Sequence, residues 1–192
     1  MIRPLRITVQ AILDHSTSFE WSVQGFGMLR LYIRKIGRLH IWDSALRYPN
    51  VTMIHNHSWD LVSTVVCGRL VNTRYRISEK NEEGVSFNQQ QLITGYQTRM
   101  TTPVQTVPLS VRAEEVYTSG QVYSQYANEI HRTDAINGTV TLMERIDDEE
   151  GRAEVYWPSN TEWGTAKPRL ASLEEVKTTV AKAQIEFDQV CL

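Results

Sequence analysis

The sequence predicts an all-β fold with a helix at each end, and three observations carry that prediction. Between residues 26 and 157, short segments alternate apolar and polar side chains, the period of half-buried strands. Turn residues separate these segments, from Gly37 and Gly68 to the Asn137-Gly138 dipeptide. At both ends the period changes to the three-and-four spacing of an amphipathic helix. Roughly ten short strands joined in this way fit a sandwich or a barrel.

Taken in order, Leu5, Val9, Ile12 and Leu13 share one helical face, and Pro4 suits a first turn, so residues 4–13 should form a short helix. Ser16 to Ser22 reads as a polar turn. After Gly25-Phe26-Gly27, a long strand sets Leu29, Leu31 and Ile33 against Arg30, Tyr32 and Arg34. Gly37 turns the chain, and Leu39 to Trp42 returns as the second arm of a hairpin. Val51 to Ile54, the apolar run Leu61 to Cys67, and Leu70 to Ile77 follow as strands. Ser78 to Gly84 is a charged turn before a glutamine-rich strand from Val85 to Ile93. Gly95 to Val107 has no clear period and reads as a loop or irregular strand. Leu109 to Tyr117 and Val122 to Tyr126 flank a turn at Gly120. Thr139 to Ile146 follows the Asn-Gly turn, and an acidic turn from Asp147 to Gly151 leads to a last strand, Ala153 to Trp157. In the C-terminal segment Ser172 and Glu175 make a capping box. Leu173, Val176, Val180, Ala183, Phe187 and Val190 then form one stripe along about five turns. The expected organisation is a barrel domain over 1–171 and a helix over 172–192, packed on the barrel or across a homodimer interface.

At 192 residues the chain is long enough for one sizeable core. With 20 basic against 22 acidic side chains, no global field favours nucleic acid or an anionic membrane. No apolar run reaches the length of a membrane span, and the N-terminus lacks a secretory signal pattern. Cys67 and Cys191 are too few for a disulfide framework, so a reducing, cytoplasmic setting is expected.

Chemistry concentrates at Ile54-His55-Asn56-His57-Ser58-Trp59-Asp60. Histidines one residue apart on an extended segment face the same way, and converging imidazoles begin a metal site. His15 closes the first helix, where a cation suits the dipole, and His40 reads as a surface or half-buried strand residue. His55 and His57, followed by Gly68 after an apolar strand, resemble the first half of the cupin motif. Leu61 stands where that family carries a glutamate, and Pro49 where it carries a leading glycine. Gly120 and His131 match the second half, with Tyr126 in place of the proline, Asn128 of the inner glycine and Ala135 of the asparagine. Asn after Gly tolerates positive φ best, so the turn at Asn128 can survive.

The resemblance spans about residues 26–146 and implies a double-stranded β-helix, the jelly-roll barrel. It also implies one divalent metal on His55, His57 and His131, with Fe(II) expected and zinc, manganese or nickel as alternatives. Without the glutamate, the set is similar to the three-histidine sites of thiol dioxygenases. Those enzymes use an arginine ahead of the histidine pair, for which Arg30 is the nearest counterpart, although Arg30 and Arg34 also read as a solvated face. Arg30, Arg74 and Arg76 are candidates to grip an anionic small-molecule substrate. Tyr123, Tyr126 and Glu129, close to His131 in sequence, are candidates for acid, base or hydrogen-bond roles. Asp60, one position early for the glutamate register, reaches the site only if a bulge turns it inward. Three functions stay open: an Fe(II) dioxygenase, a metal-independent sugar epimerase or isomerase, and a non-catalytic small-molecule binder.

Overall fold

The computed structural model describes residues 2–78, 85–93, 99–100, 102–146, 153–162 and 167–190. Helix α1 (Ile2–Asp14) buries Val9 and Leu13, and a 3-10 turn at Ser16–Ser18 follows. Trp21 donates its indole N–H to the Ser16 carbonyl at 2.9 Å, anchoring the chain before the first strand. The strands are β1 (Ser22–Gln24), β2 (Phe26–Ile33), β3 (Gly37–Arg47), β4 (Ile54–His55), β5 (Leu61–Cys67), β6 (Arg69–Ile77) and β7 (Val85–Ile93). They continue as β8 (Arg99–Met100), β9 (Gln105–Thr118), β10 (Val122–Gln125), β11 (His131–Ala135), β12 (Val140–Arg145), β13 (Ala153–Pro158) and β14 (Arg169–Leu170). Helix α2 (Leu173–Val190) ends the described chain.

One sheet runs β10-β5-β12-β3-β2-β1-β14 and the other β13-β4-β11-β6-β9-β7-β8. In the second sheet β13 also pairs with β7, so β13, β4, β11, β6, β9 and β7 close into a six-stranded antiparallel barrel. Four pairings are nested: β3 with β12, β4 with β11, β5 with β10, and β6 with β9. The run β3 to β6 therefore lies against the run β9 to β12 read backwards, and successive strands of each run alternate between sheets.

The larger apolar core lies outside the barrel. Leu29 and Leu31 of β2, Leu39 and Ile41 of β3, and Val140 and Leu142 of β12 meet Val9 and Leu13 of α1. Val176, Val180, Ala183 and Phe187 of α2 join the same cluster, so the C-terminal stripe packs on the first sheet of its own chain. Buried Asp43 fixes that helix, accepting from Lys182 Nζ at 2.6 Å and Thr179 Oγ1 at 3.2 Å. A smaller core of Ile54, Leu109, Ile130 and Tyr156 fills the closed barrel. The expected capping box is present: Glu175 N–H donates to Ser172 Oγ at 3.2 Å, and Ser172 N–H to the Glu175 carboxylate at 2.8 Å. Arg169, bonded to the same carboxylate, holds its pKa down to about 2. Gly138, at φ +86°, lets α2 approach the β11–β12 turn, since a Cβ there would lie 2.5 Å from the Lys182 carbonyl oxygen.

Several boundaries differ from expectation for local reasons. Of the expected strand Val51 to Ile54 only Ile54 pairs, joined by His55, because Asn50 turns the chain at φ +61° and Thr52 Oγ1 takes up the Ile54 N–H at 3.1 Å. Gln105 to Pro108 belong to β9 despite the weak period, held by their pairing with β7. The short β1 and β14 were not expected, and they pair with each other at the sheet edge. The turn residues 79–84 and 147–151 lie outside the described residues. No helix among the described residues is long and apolar enough to cross a membrane. Val180 is 4 % exposed, so Val180→Asp should cost roughly 3 kcal/mol or more as an unpaired buried charge. A thermal melt followed by circular dichroism checks it, and an unchanged midpoint would contradict the packing of α2.

Candidate metal centre

The three histidines converge because of strand register. His131 on β11 pairs directly with His55 on β4, and His57, two residues on, keeps the same face. The ring centroids lie 4.6 Å apart for His55–His131, 4.7 Å for His55–His57 and 5.1 Å for His57–His131. One nitrogen from each ring lies within 4.8 Å of the others. His55 Nδ1 is 2.9 Å from the Met53 carbonyl oxygen and His131 Nδ1 is 3.0 Å from that of Glu129. A carbonyl only accepts, so both Nδ1 atoms carry the proton, and the Nε2 atoms keep the lone pairs a metal needs. Phe26 stacks on His55 at 5.1 Å, and Trp59 on His57 at 4.1 Å, which limits rotation of the two rings.

The segments bearing these histidines are tied to each other. Asn128 takes the left-handed conformation at φ +63°, as the sequence led us to expect, and its N–H donates to the His57 carbonyl at 2.7 Å. Ala127 N–H donates to Asp60 Oδ1 at 2.6 Å. Asp60 is thus turned toward the loop before His131 and is not one of the clustered ligands. Leu61, in the register of the family's glutamate, is buried and lines the cavity as an apolar residue.

Burial, followed by the other imidazoles, holds His57 well below the ordinary histidine range. Burial also lowers His55. It brings His131 down to about 3, with His55 adding to the effect. All three rings are therefore neutral at pH 7, the form that binds a metal. They sit in the lining of a cavity of about 450 Å³ between the sheets. The donor set fits a divalent first-row ion: neutral imidazoles suit iron, zinc, nickel or copper.

The remaining predicted residues are distributed unevenly. Arg30 and Tyr123 line the cavity. Burial raises the Tyr123 phenol above its ordinary range, only partly offset by hydrogen bonds with Ser63 and Thr133. Tyr126 is 62 % exposed and is not part of the cavity lining. Glu129 and Arg74 form an ion pair with each other, and Arg74 also bonds Glu115 at 2.7 Å. Burial works against the Arg74 charge, but the two carboxylates outweigh it and raise its pKa. Glu129 reaches the centre through its backbone carbonyl on His131. Arg76 is exposed and, like Arg74, is not in the lining. His40, expected at or near the surface, is buried and lines the cavity. Burial, then Arg38 and Arg30, depress its pKa to about 3. The Gly37 turn sets this placement, because it pairs His40 with Arg30 across the hairpin, and both face inward. Arg38, Arg145 and Gln24 also line the cavity and were not anticipated.

A scan against protein-family models found no match, and a search of curated proteins found no matching sequence. The strand-rich barrel and the three adjacent histidines are compatible with a cupin.

Two outcomes follow. His40 and His131 titrate at about 3 in the fold against 6.5 in the unfolded chain. The unfolded state binds more protons between these values, so metal-free stability should fall as pH drops through 6.5 and keep falling toward 3. Urea midpoints from pH 7 to about 4.5 check this, and a flat profile would contradict the burial of both rings. Asp60→Ala should weaken metal binding by about ten- to a hundredfold without abolishing it, because the carboxylate orients the loop and does not ligate. Competition with a chelator reads the difference.

Proposed function

We propose that this chain is a metal-binding cupin, and that it acts as a mononuclear non-haem Fe(II) dioxygenase on a small polar substrate. The observation that carries the reading is the convergence of His55, His57 and His131 as neutral imidazoles on one cavity wall. The nested pairing of β3–β6 with β9–β12 supports the jelly-roll assignment, since a long hairpin wound in this way is that barrel's topology. Three imidazoles without a carboxylate leave coordination positions open for substrate and dioxygen. A bound ferrous ion supplies the dioxygen chemistry.

The chain's own residues bind and orient. Arg30 offers a guanidinium for an anionic group of the substrate. Tyr123, kept protonated by burial, can donate a hydrogen bond into the cavity. Phe26 and Trp59 hold the imidazole planes. A metal-independent epimerase needs one imidazole base and leaves the convergence of three unexplained.

Metal analysis after anaerobic Fe(II) loading should give one ion per chain, and His55→Ala, His57→Ala or His131→Ala should each lose most of it. His40→Ala should retain the ion. Dioxygen uptake by the iron-loaded protein with small polar candidates then tests the reaction. Uptake of no iron, zinc, manganese or nickel, with alanine variants melting like the wild type, would reject the metal centre.

A further inference from the structure

Two buried amides connect Glu129 with the cavity wall beside the histidines, and the hydrogen bonds along them run in one direction only. The Glu129 carboxylate, paired with the Arg74 guanidinium, can only accept. Gln125 Nε2–H donates to Glu129 Oε2 at 2.8 Å, which leaves Gln125 Oε1 to accept from Asn72 Nδ2 at 3.1 Å. That second bond crosses from β10 in the first sheet to β6 in the second. With its nitrogen spent, Asn72 presents Oδ1, and the Thr133 hydroxyl donates to it at 3.3 Å. Gln125 and Asn72 are 1 % and 0 % exposed, so solvent does not reach these groups. Because the carboxylate has no hydrogen to give, turning either amide over would set two donors or two acceptors face to face.

The chain of bonds ends next to the metal centre. Thr133 lies two residues after His131 on β11, shares its face of the strand and lines the cavity. A threonine hydroxyl has one hydrogen and two lone pairs. Asn72 holds the hydrogen, so toward the cavity Thr133 can only accept. One lone pair can be served by the Tyr123 phenol, which is hydrogen-bonded with Thr133 and Ser63. The other is left for a ligand. Arg30 and Arg38 share the cavity wall, and the described residues of the lining include no Asp or Glu, so an ammonium group is disfavoured as the donor. A neutral hydroxyl fits.

We propose that Thr133 is a specificity-determining residue, fixed as an acceptor by Glu129 through Gln125 and Asn72, and that the substrate is a small hydroxylated molecule whose O–H donates to it. That hydroxyl lies next to the group held at His55, His57 and His131; this placement rests on the metal-centre reading. An acceptor left without its hydrogen in an enclosed site is costly, so an analogue with the hydroxyl methylated is rejected. Glu129 then acts in two directions. Its carbonyl fixes the tautomer of His131, and its carboxylate fixes where the Thr133 hydrogen points.

The test uses the full chain in two arms. In the metal-free protein, NMR should show a slowly exchanging Thr133 hydroxyl proton close to the Asn72 side chain, absent in Thr133→Val and present at the same place in Thr133→Ser. The zinc-loaded protein is titrated calorimetrically with glycolate and with methoxyacetate, which differ in whether the α-oxygen carries hydrogen or a methyl group. Glycolate should bind about tenfold more tightly. Thr133→Val should cut that preference about fivefold or more while zinc uptake stays unchanged, and Thr133→Ser should restore it. Thr133→Ala gives the same reading should Thr133→Val fail to fold. A Thr133 hydroxyl that exchanges too fast to observe overturns the fixed direction. Equal affinities in the wild type, no glycolate binding by the zinc-loaded chain, or an undiminished preference in folded Thr133→Val or Thr133→Ala overturns the substrate assignment. A chain that takes up no zinc removes the metal centre, and the NMR arm still decides the direction of the Thr133 hydrogen.

Discussion

Strand alternation gives the sheet β10-β5-β12-β3-β2-β1-β14 two faces, and the structure depends on which way each is turned. Leu29, Leu31, Leu39, Ile41, Val140 and Leu142 point away from the cavity and are covered by α1 and α2. The opposite face presents Met28, Arg30, His40, Trp42 and Met143 to the cavity between the sheets. Because the helices take over the burial of the apolar face, the space between the sheets does not have to be the main core. A cavity with four imidazoles and three guanidiniums in its wall can therefore persist. Most of the stability resides on one side of this sheet and most of the chemistry on the other.

The histidine centre depends on a second constraint, the attachment of two chain segments far apart in sequence. His55 and His131 are opposite one another in the β4–β11 ladder. That ladder is a single pair of residues, too short to hold a site unaided. The Asn128–His57 and Ala127–Asp60 hydrogen bonds extend the attachment beyond the strands. Glu129 contributes twice, accepting from His131 Nδ1 through its carbonyl and pairing with Arg74 through its carboxylate. Arg74 and Glu129 thus orient a ligand from outside the cavity.

The parts of this design that are local in sequence were legible there. Helices, hairpins, the Ser172–Glu175 capping box and the left-handed Asn128 all follow from periods and turn residues. The three histidines were legible because two share a strand face and the third sits in a recognisable spacing after Gly120. What stayed hidden was the direction of each face. The alternation of Arg30 with Leu29 and Leu31 establishes two faces, but it does not say whether helices or solvent cover the apolar one. For that reason Arg30 was open to two readings, His40 was expected near the surface, and Arg38 and Arg145 went unnoticed. Arg74 was equally ambiguous, since its carboxylate partners Glu115 and Glu129 come from β9 and from the loop before β11.

Charge connects the imidazoles with the arginines of the same cavity wall. His55, His57 and His131 are neutral ligands, so a divalent ion held by them keeps its full charge. Burial lowers the pKa of His57 and His40, and Arg38 adds to the effect on both while contributing to the positive potential. Arg30 and Arg38 in the same cavity wall add to that positive potential. A glutamate in place of Leu61 would bring a negative charge into this wall beside the histidines. With Leu61 at that position, the described residues lining the cavity present imidazoles and guanidiniums and no carboxylate, so the potential at the histidine cluster is set by burial and by these cations.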